Sequence, residues 1–450
     1  MPRPLPTPSG IHSYPRCIGY QGCWLSPHEV KNIAIDEKKK NGGGLFGNLF
    51  GRKDQEEEKY DDLKNTLFNV NFFSRGLKSK VQVLRSSESW SLGLKTTENS
   101  ILQAYYYLIK NAKHYIYIEN QFFVSRAFSE DERRKCPYAL SCDVKNLIAY
   151  EIKKKILEKY RKNEKFRVFI FIPLLPGFPG EPETESTLKI ILKYTYAGIC
   201  RNHGCSIIEQ LQKEMGDKWK DYIGFYSLRN HGIINGVPST EIIYIHSKLM
   251  IVDDTKVIIG SANINDRSML GARDSEFCVL IKEKKVLNSK MDGKDYVAAK
   301  FAYNFRTNLF AEHLGLDPED PILNDPLNDE FLKKLQNAAE KNTLTYRELW
   351  GCYPDDEYKN YRDIRRMGNF NNEELRKFKE LYEKKKENIV GHVVQFPLHF
   401  LENEDLRISF FSKENFAPLE TFLWTTWLNW TIIKEIIPSY LIYFTEYLNI

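Results

Sequence analysis

His246, Lys248 and Asp253 fall in the spacing H-x-K-x4-D, and Gly260-Ser261-Ala262-Asn263 follows, with Asn265, Arg267, Arg273, Asp274 and Glu276 close behind. These residue types suit phosphate chemistry. A histidine titrating near neutral pH can attack phosphorus or shuttle a proton. A lysine neutralises charge on non-bridging oxygens. A Gly-Ser-x-Asn turn adds compact hydrogen-bond donors for the same oxygens.

Apolar runs at Ile242–Ile245, Leu249–Val252 and Val257–Ile259 flank these polar residues. The pattern predicts short buried strands joined by tight connections. On a strand's period of two, His246 and Lys248 point to one face. Upstream, residues 81–91 predict a strand ending in a polar turn. Thr97–Ala112 predicts a helix capped by Thr97. Tyr115–Val124 (YIYIENQFFV) begins as a buried strand and places Glu119, Asn120 and Gln121 just past its C-terminal end. Functional side chains collect there in α/β sheets. Two readings stay open: these residues cap the strand and start a turn, or Asn120 and Gln121 bind substrate or its phosphate.

Val144–Asn163 predicts a basic amphipathic helix, and Phe166–Pro173 (FRVFIFIP) a strand buried on both faces. Such a strand belongs in a parallel or mixed sheet. Helices are expected at Ser186–Ile199, Ser206–Met215, Val297–Leu314, Asp329–Lys341 and Asn371–Lys386. Strands are expected at Tyr222–Leu228 and Ile389–Leu398. The alternation implies an α/β fold, a mixed β-sheet flanked by helices on both faces.

With 42% hydrophobic residues in 450, the chain can bury a sizeable core. A formal net charge of +5 is too mild to indicate nucleic-acid binding by itself. Eight cysteines without CxxC pairs or zinc spacing read as free thiols in a reducing cytosol. No clustered His/Cys/carboxylate set implies a metal, and no cofactor is expected. The Pro-rich N-terminus lacks the apolar core of a signal peptide. Residues 1–79 read as an extended region with a low-complexity linker at 37–62, residues 80–425 as the catalytic body, and residues 426–450 as an apolar, aromatic extension. The uncharged runs of that extension fall short of the ~20 apolar residues of a spanning helix. Packing on the body is favoured over lying in a membrane interface.

The full string H-x-K-x4-D-x6-G-S-x-N fixes six positions. It stands among the blocks RSSESWS (Arg85–Ser91), IYIENQFF (Ile116–Phe123), RVFIFIPLLPGF (Arg167–Phe178), IHSKLMIVDD, IIGSANINDRSMLGARDSE and VVQFPLHFL (Val393–Leu401). In these blocks and their order the chain resembles the phospholipase D superfamily. In detail it is similar to the C-terminal half of a eukaryotic phosphatidylcholine-type phospholipase D, from about Val81 to about Trp424-Thr425.

The resemblance implies an active site shared by two H-x-K-x4-D motifs, with one histidine forming a phosphohistidine. His246, in the second motif, would protonate the leaving alcohol and then activate water or a primary alcohol. Lys248 and Asn263 would hold the non-bridging oxygens, with Ser261 assisting. Glu276 is the candidate to orient His246 through its second ring nitrogen, and Asp274 is the rival. Asp253 would be structural, held in a local salt bridge. The implied partner is a phosphatidylcholine membrane, approached from the cytoplasm as a peripheral protein, with phosphoinositides and small GTPases as possible regulators. The two lipase-like blocks IYIENQFF and RSMLGARDSE argue against a nuclease or a phospholipid synthase.

The chain departs from that pattern. Of its nine histidines, at 12, 28, 114, 203, 231, 246, 313, 392 and 399, only His246 has lysine two residues on. A truncated two-motif enzyme is the favoured explanation. An inactive binding module and a pairing of two copies are the others. The family's Trp-Thr ending is followed here by Thr426–Ile450.

Overall fold

The computed structural model describes residues 79–406, apart from 142, 185 and 365–370. The chain divides into two units, Met1–Leu77 and Lys78–Ile450. All described residues belong to the second. The expectations for the N-terminal region with its linker and for the 426–450 extension lie outside the described residues.

The strands are β1 (Ser79–Ser87), β2 (Glu98–Asn99), β3 (Tyr115–Glu119), β4 (Arg167–Phe171), β5 (Ile223–Ile234), β6 (Val237–Ile243), β7 (Leu249–Val252), β8 (Lys256–Gly260), β9 (Glu276–Glu283), β10 (Val286–Met291), β11 (Lys294–Ala299) and β12 (Val393–Gln395). Ten of them build one sheet in the order β12-β5-β4-β3-β7-β8-β9-β1-β2, with β6 paired to β5. β4 lies parallel to both β3 and β5. The other pairings are antiparallel, so the sheet is mixed.

The longer helices are α1 (Ser100–Asn111), α2 (Ile148–Arg161), α3 (Thr187–Ile199), α4 (Ile207–Met215), α5 (Lys300–Leu314), α6 (Asp329–Trp350) and α7 (Asn372–Lys385). Every residue of β3 and β4 is buried. Because side chains alternate across a strand, this requires cover on both faces. Ile116, Ile118, Val168 and Ile170 join the core formed with α1 to α4. Tyr117, Phe169 and Phe171 meet Phe310 of α5 edge to face, and Phe169 also meets Phe331 of α6. Burying each such ring or branched side chain contributes roughly 1.5–3 kcal/mol. The fold is thus an α/β sandwich with helices on both sides.

Three expectations change. The helix expected from Val297 starts at Lys300, because residues 294–299 pair with β10 as a hairpin. Its turn is Asp292-Gly293, both at positive φ (55° and 72°), the conformation that two-residue hairpin turns require. The helix at 97–112 begins at Ser100, and Thr97 donates its hydroxyl to Glu88 instead of capping. The reading of all cysteines as free thiols fails as well. Cys136 and Cys205 form a disulfide with 6.0 Å between Cα atoms, while Cys200, Cys278 and Cys352 are free. The two half-cystines are 69 residues apart, so only the packed fold shows that they meet. Since disulfides persist in oxidising surroundings, the cysteine argument for a reducing cytosol falls with it.

Candidate active site

Register brings the motif together. Glu119 pairs with Leu249, Leu249 pairs with Ile259, and Gly260 pairs with Cys278. The residues just after β3, just before β7, just after β8 and at the start of β9 therefore lie side by side at one end of the sheet. These are Asn120 and Gln121, His246 to Lys248, Ser261 to Asn263, and Glu276.

The H-x-K segment is not a strand. Tyr244–Lys248 connects β6 to β7 without ladder pairing. Topology explains why. Leu228 of β5 pairs with both Val393 of β12 and Ile243 of β6, so these two strands flank β5 on opposite edges. β6 thus lies on the β4 side, and the chain must cross the end of β3 to enter β7. The expected alternation does not hold in this crossing: His246 is exposed, whereas Lys248 is 6% exposed.

Lys248 Nζ donates to Gln121 Oε1 at 2.9 Å and to the His246 carbonyl at 2.7 Å. Burial pushes the Lys248 ammonium down to about 8, against the pull of the Glu276 carboxylate. The His246 ring lies near-parallel to the Tyr244 ring with centroids 6.3 Å apart. Partial enclosure, and then the neighbouring Lys248 charge, hold its pKa below the ordinary value. An imidazole so held is neutral at pH 7, which suits a base or a nucleophile more than a resting acid.

Gly260 permits the Gly-Ser-x-Asn turn because a Cβ there would lie 2.2 Å from the Phe277 carbonyl oxygen. Ser261 is fixed against β9: its amide donates to the Phe277 carbonyl at 2.9 Å, and its hydroxyl donates to Glu276. The Asn263 side-chain oxygen and the Asn120 side-chain nitrogen are buried without a hydrogen-bond partner among the described residues.

Glu276 accepts from the Ser261 hydroxyl and, at 2.5 Å, from the Ser268 hydroxyl. Burial raises its pKa although both serines oppose the shift. Asp274 forms a two-point pair with Arg267 at 2.8 and 3.0 Å. The expected choice between Glu276 and Asp274 as the direct partner of the His246 ring is therefore met by neither: each carboxylate is bonded elsewhere.

Asp253 leaves the site altogether. It follows the last residue of β7, whereas Lys248 precedes the first, and four strand residues span about 13 Å. There its carboxylate accepts from the backbone amides of Lys113, His114 and Tyr115 at 2.8, 2.8 and 2.9 Å. Backbone amides thus take the place of the expected salt bridge. Asp253 and Asp254 have φ of 52° and 48°, and Thr255 N–H closes the turn on Val252 at 3.0 Å. Asp253→Ala would strip three amides of their acceptor. We expect a loss of about 2–4 kcal/mol in urea unfolding, with the magnitude set by three charge-assisted bonds, one to a buried donor and two to part-buried ones; a change under ~0.5 kcal/mol would contradict this role.

Sequence reasoning missed Tyr244, Ser268 and Gly177. The Tyr244 hydroxyl accepts from Gln121 Nε2 at 2.8 Å and from the Gly177 amide at 3.1 Å. A Cβ on Gly177 would meet the Tyr244 ring at 2.7 Å. Only Gly177 itself, in the Gly- and Pro-containing 174–180 loop, hinted at such a close approach.

A sequence model described as Phospholipase D matches residues 52–351. The chain belongs to the phospholipase D family. It is 43% identical to mouse (Mus musculus) phospholipase D1 over 356 residues, covering 77% of this chain and 31% of that one. Against human (Homo sapiens) phospholipase D1 the identity is 42% over 355 residues, with 77% and 31% covered. Against Arabidopsis thaliana phospholipase D zeta 1 it is 37% over 372 residues, with 76% and 33% covered. The chain therefore spans about a third of the length of these phospholipase D relatives.

Proposed function

We propose that this chain supplies the second H-x-K half of a phospholipase D active site, acting on phosphatidylcholine to give phosphatidic acid and choline, with transfer to primary alcohols. The observation that carries this reading is the convergence of His246, Lys248 and Asn263 at one sheet end, beside the half-buried Glu276. In its protonated form, the minor one at pH 7, His246 gives its proton to the departing alcohol, and the neutral ring that results takes a proton from water or an acceptor alcohol. Lys248 and Asn263 meet the non-bridging oxygens, and Ser261 shapes the turn that presents them. The nucleophilic histidine comes from a first motif outside these residues, either on a longer chain or on a partner polypeptide. The substrate is presented at a phospholipid surface; no described helix is long and apolar enough to cross a membrane.

The test is phosphatidylbutanol formation from phosphatidylcholine vesicles with added 1-butanol, with a first-motif half of a phospholipase D added to the chain. Product from the chain, falling at least ~100-fold in His246→Ala, supports the reading. Product that persists in His246→Ala would refute it.

One observation favours a second reading, a lipid-binding module without turnover: His246 is the only histidine in an H-x-K context. That reading predicts vesicle binding unchanged in His246→Ala, with no product from either protein.

A further inference from the structure

We propose that three consecutive residues at the end of β3, Glu119-Asn120-Gln121, form the positioning element of this site. They hold the His246–Lys248 crossing and the Gly260–Asn263 turn in one fixed mutual register. The inference rests on the reading above for its chemistry, and on hydrogen bonds alone for its geometry.

Each of the three side chains reaches a different part of the motif. Glu119 accepts from the hydroxyl of Ser247, the middle residue of H-x-K. Asn120 Oδ1 accepts from the Ile264 amide at 3.0 Å, directly after Asn263, and from the Phe122 amide at 3.2 Å. Gln121 takes Lys248 Nζ on its oxygen at 2.9 Å and gives its nitrogen to the Tyr244 hydroxyl at 2.8 Å. The backbone adds a further tie, from Val124 N–H to the Ile264 carbonyl at 2.9 Å. The crossing over the end of β3 is thus gripped at Tyr244, Ser247 and Lys248, and His246 stands between the outer grips. The grip is also asymmetric in chemistry. The Glu119 carboxylate and the Gln121 amide oxygen accept from the crossing, while the Gln121 amide nitrogen donates to it at Tyr244.

Glu119 is anchored from behind. It is 5% exposed, and on strand period it shares a face with Tyr117, toward α5. Tyr117 donates its hydroxyl to Glu119 Oε1 at 2.5 Å, and His313 Nε2 of α5 lies 3.4 Å from the same oxygen and 2.8 Å from the Tyr117 hydroxyl. The His313 ring stacks on Phe171 with centroids 4.5 Å apart. Burial alone would raise the Glu119 pKa, but His313, Ser247 and Tyr117 together bring it below the ordinary value. A buried charged carboxylate is expensive unless it is fully bonded, and here one of its bonds is made to a loop serine. The expense makes sense where the loop's position matters.

A merely structural role for the triplet predicts lost stability and nothing more. A positioning role predicts changes at His246 and Lys248 themselves. The test uses the full chain with 13C-labelled lysine and histidine. The Lys248 Cε resonance is assigned by its loss in Lys248→Arg, and the His246 ring by its loss in His246→Asn. Gln121→Glu places a carboxylate beside Nζ and should raise the Lys248 titration midpoint by about one unit or more. Gln121→Leu should lower it. Midpoints unchanged in both variants would overturn the Gln121 contact.

For Glu119, Ser247→Ala and Glu119→Gln should shift the His246 ring resonances alike. Their double variant should shift them no further, and Ser247→Thr should restore the original spectrum. Ser247 lies on a connection, so Ser247→Ala reports even if Glu119→Gln does not fold. A Ser247→Ala spectrum identical to the parent, or additive shifts, would overturn the Glu119 contact. Turnover is read separately. Where phosphatidylbutanol forms, Ser247→Ala and Gln121→Leu should lower kcat about 100-fold with KM nearly unchanged, as displacement of a reacting group does. Where no product forms even with a first-motif half of a phospholipase D added, the functional reading fails and the resonance results still decide the geometry.

Discussion

Arg306→Met should cost about 3–5 kcal/mol of folding stability, the largest single loss expected in this chain. Arg306 and Asp254 are both 0% exposed at their side chains. The guanidinium meets the carboxylate at two points, each 2.9 Å, and gives a further hydrogen bond to the Leu323 carbonyl at 2.5 Å. The Tyr115 hydroxyl donates to the same Asp254 carboxylate at 2.7 Å. Removing the arginine leaves a charge in the interior with one neutral donor. Whole-domain stabilities are typically ~5–15 kcal/mol, so the loss takes a large part of the margin. Urea unfolding followed by circular dichroism measures it. Asp254→Asn in the same chain should recover part of the loss by removing the stranded charge, and a loss under ~1 kcal/mol for Arg306→Met alone would show that the pair matters little.

Lys248→Met should lower turnover by about 100- to 1,000-fold, the usual effect of deleting one preorganised donor to a developing anion. Where turnover is too slow to follow, weaker binding of inorganic phosphate is the alternative readout. The wild-type response to pH carries the same signature. The ammonium is charged below its pKa of about 8 and neutral above it. Phosphate binding and kcat/KM should therefore fall as pH rises through about 8, and Lys248→Met should lose that alkaline limb. An alkaline limb near 10.5, the ordinary lysine range, would contradict the burial that the structure gives this side chain. On the acid side, His246 is held below its ordinary value by enclosure and by Lys248, so its acid limb should lie below that of an ordinary histidine.

Much of the scaffold was written in local pattern. The near-continuous apolar run of β4 announced a strand buried on both faces, and the structure covers it with α1 to α4 on one side and α5 and α6 on the other. Ser186 and Ser206 announced the starts of two helices, and both cap them, each accepting from the amide three residues on. The short-range spacing of Gly260, Ser261 and Asn263 around a tight turn was equally legible. The β10–β11 hairpin carried its own signal in Asp292-Gly293, which went unread because the adjoining apolar residues also fit a helix.

What the sequence by itself determined was the chemistry available: one histidine, one lysine and a Gly-Ser-x-Asn turn, spaced so that short strands could bring them together. Only the tertiary structure decided which neighbours these residues have. Spacing along the chain cannot show that β6 enters beside β4 and must cross the end of β3, and that crossing turned a presumed strand face into a gripped connection. Nor can it show that β7 separates Asp253 from Lys248 by its whole length, or that Glu276 is given to two serines. Local periodicity depends on the few residues around each position, and so it is legible in order. Partners such as Glu119 and Ser247, Asp254 and Arg306, or Cys136 and Cys205 meet through sheet order and helix packing, which are set by the whole core at once.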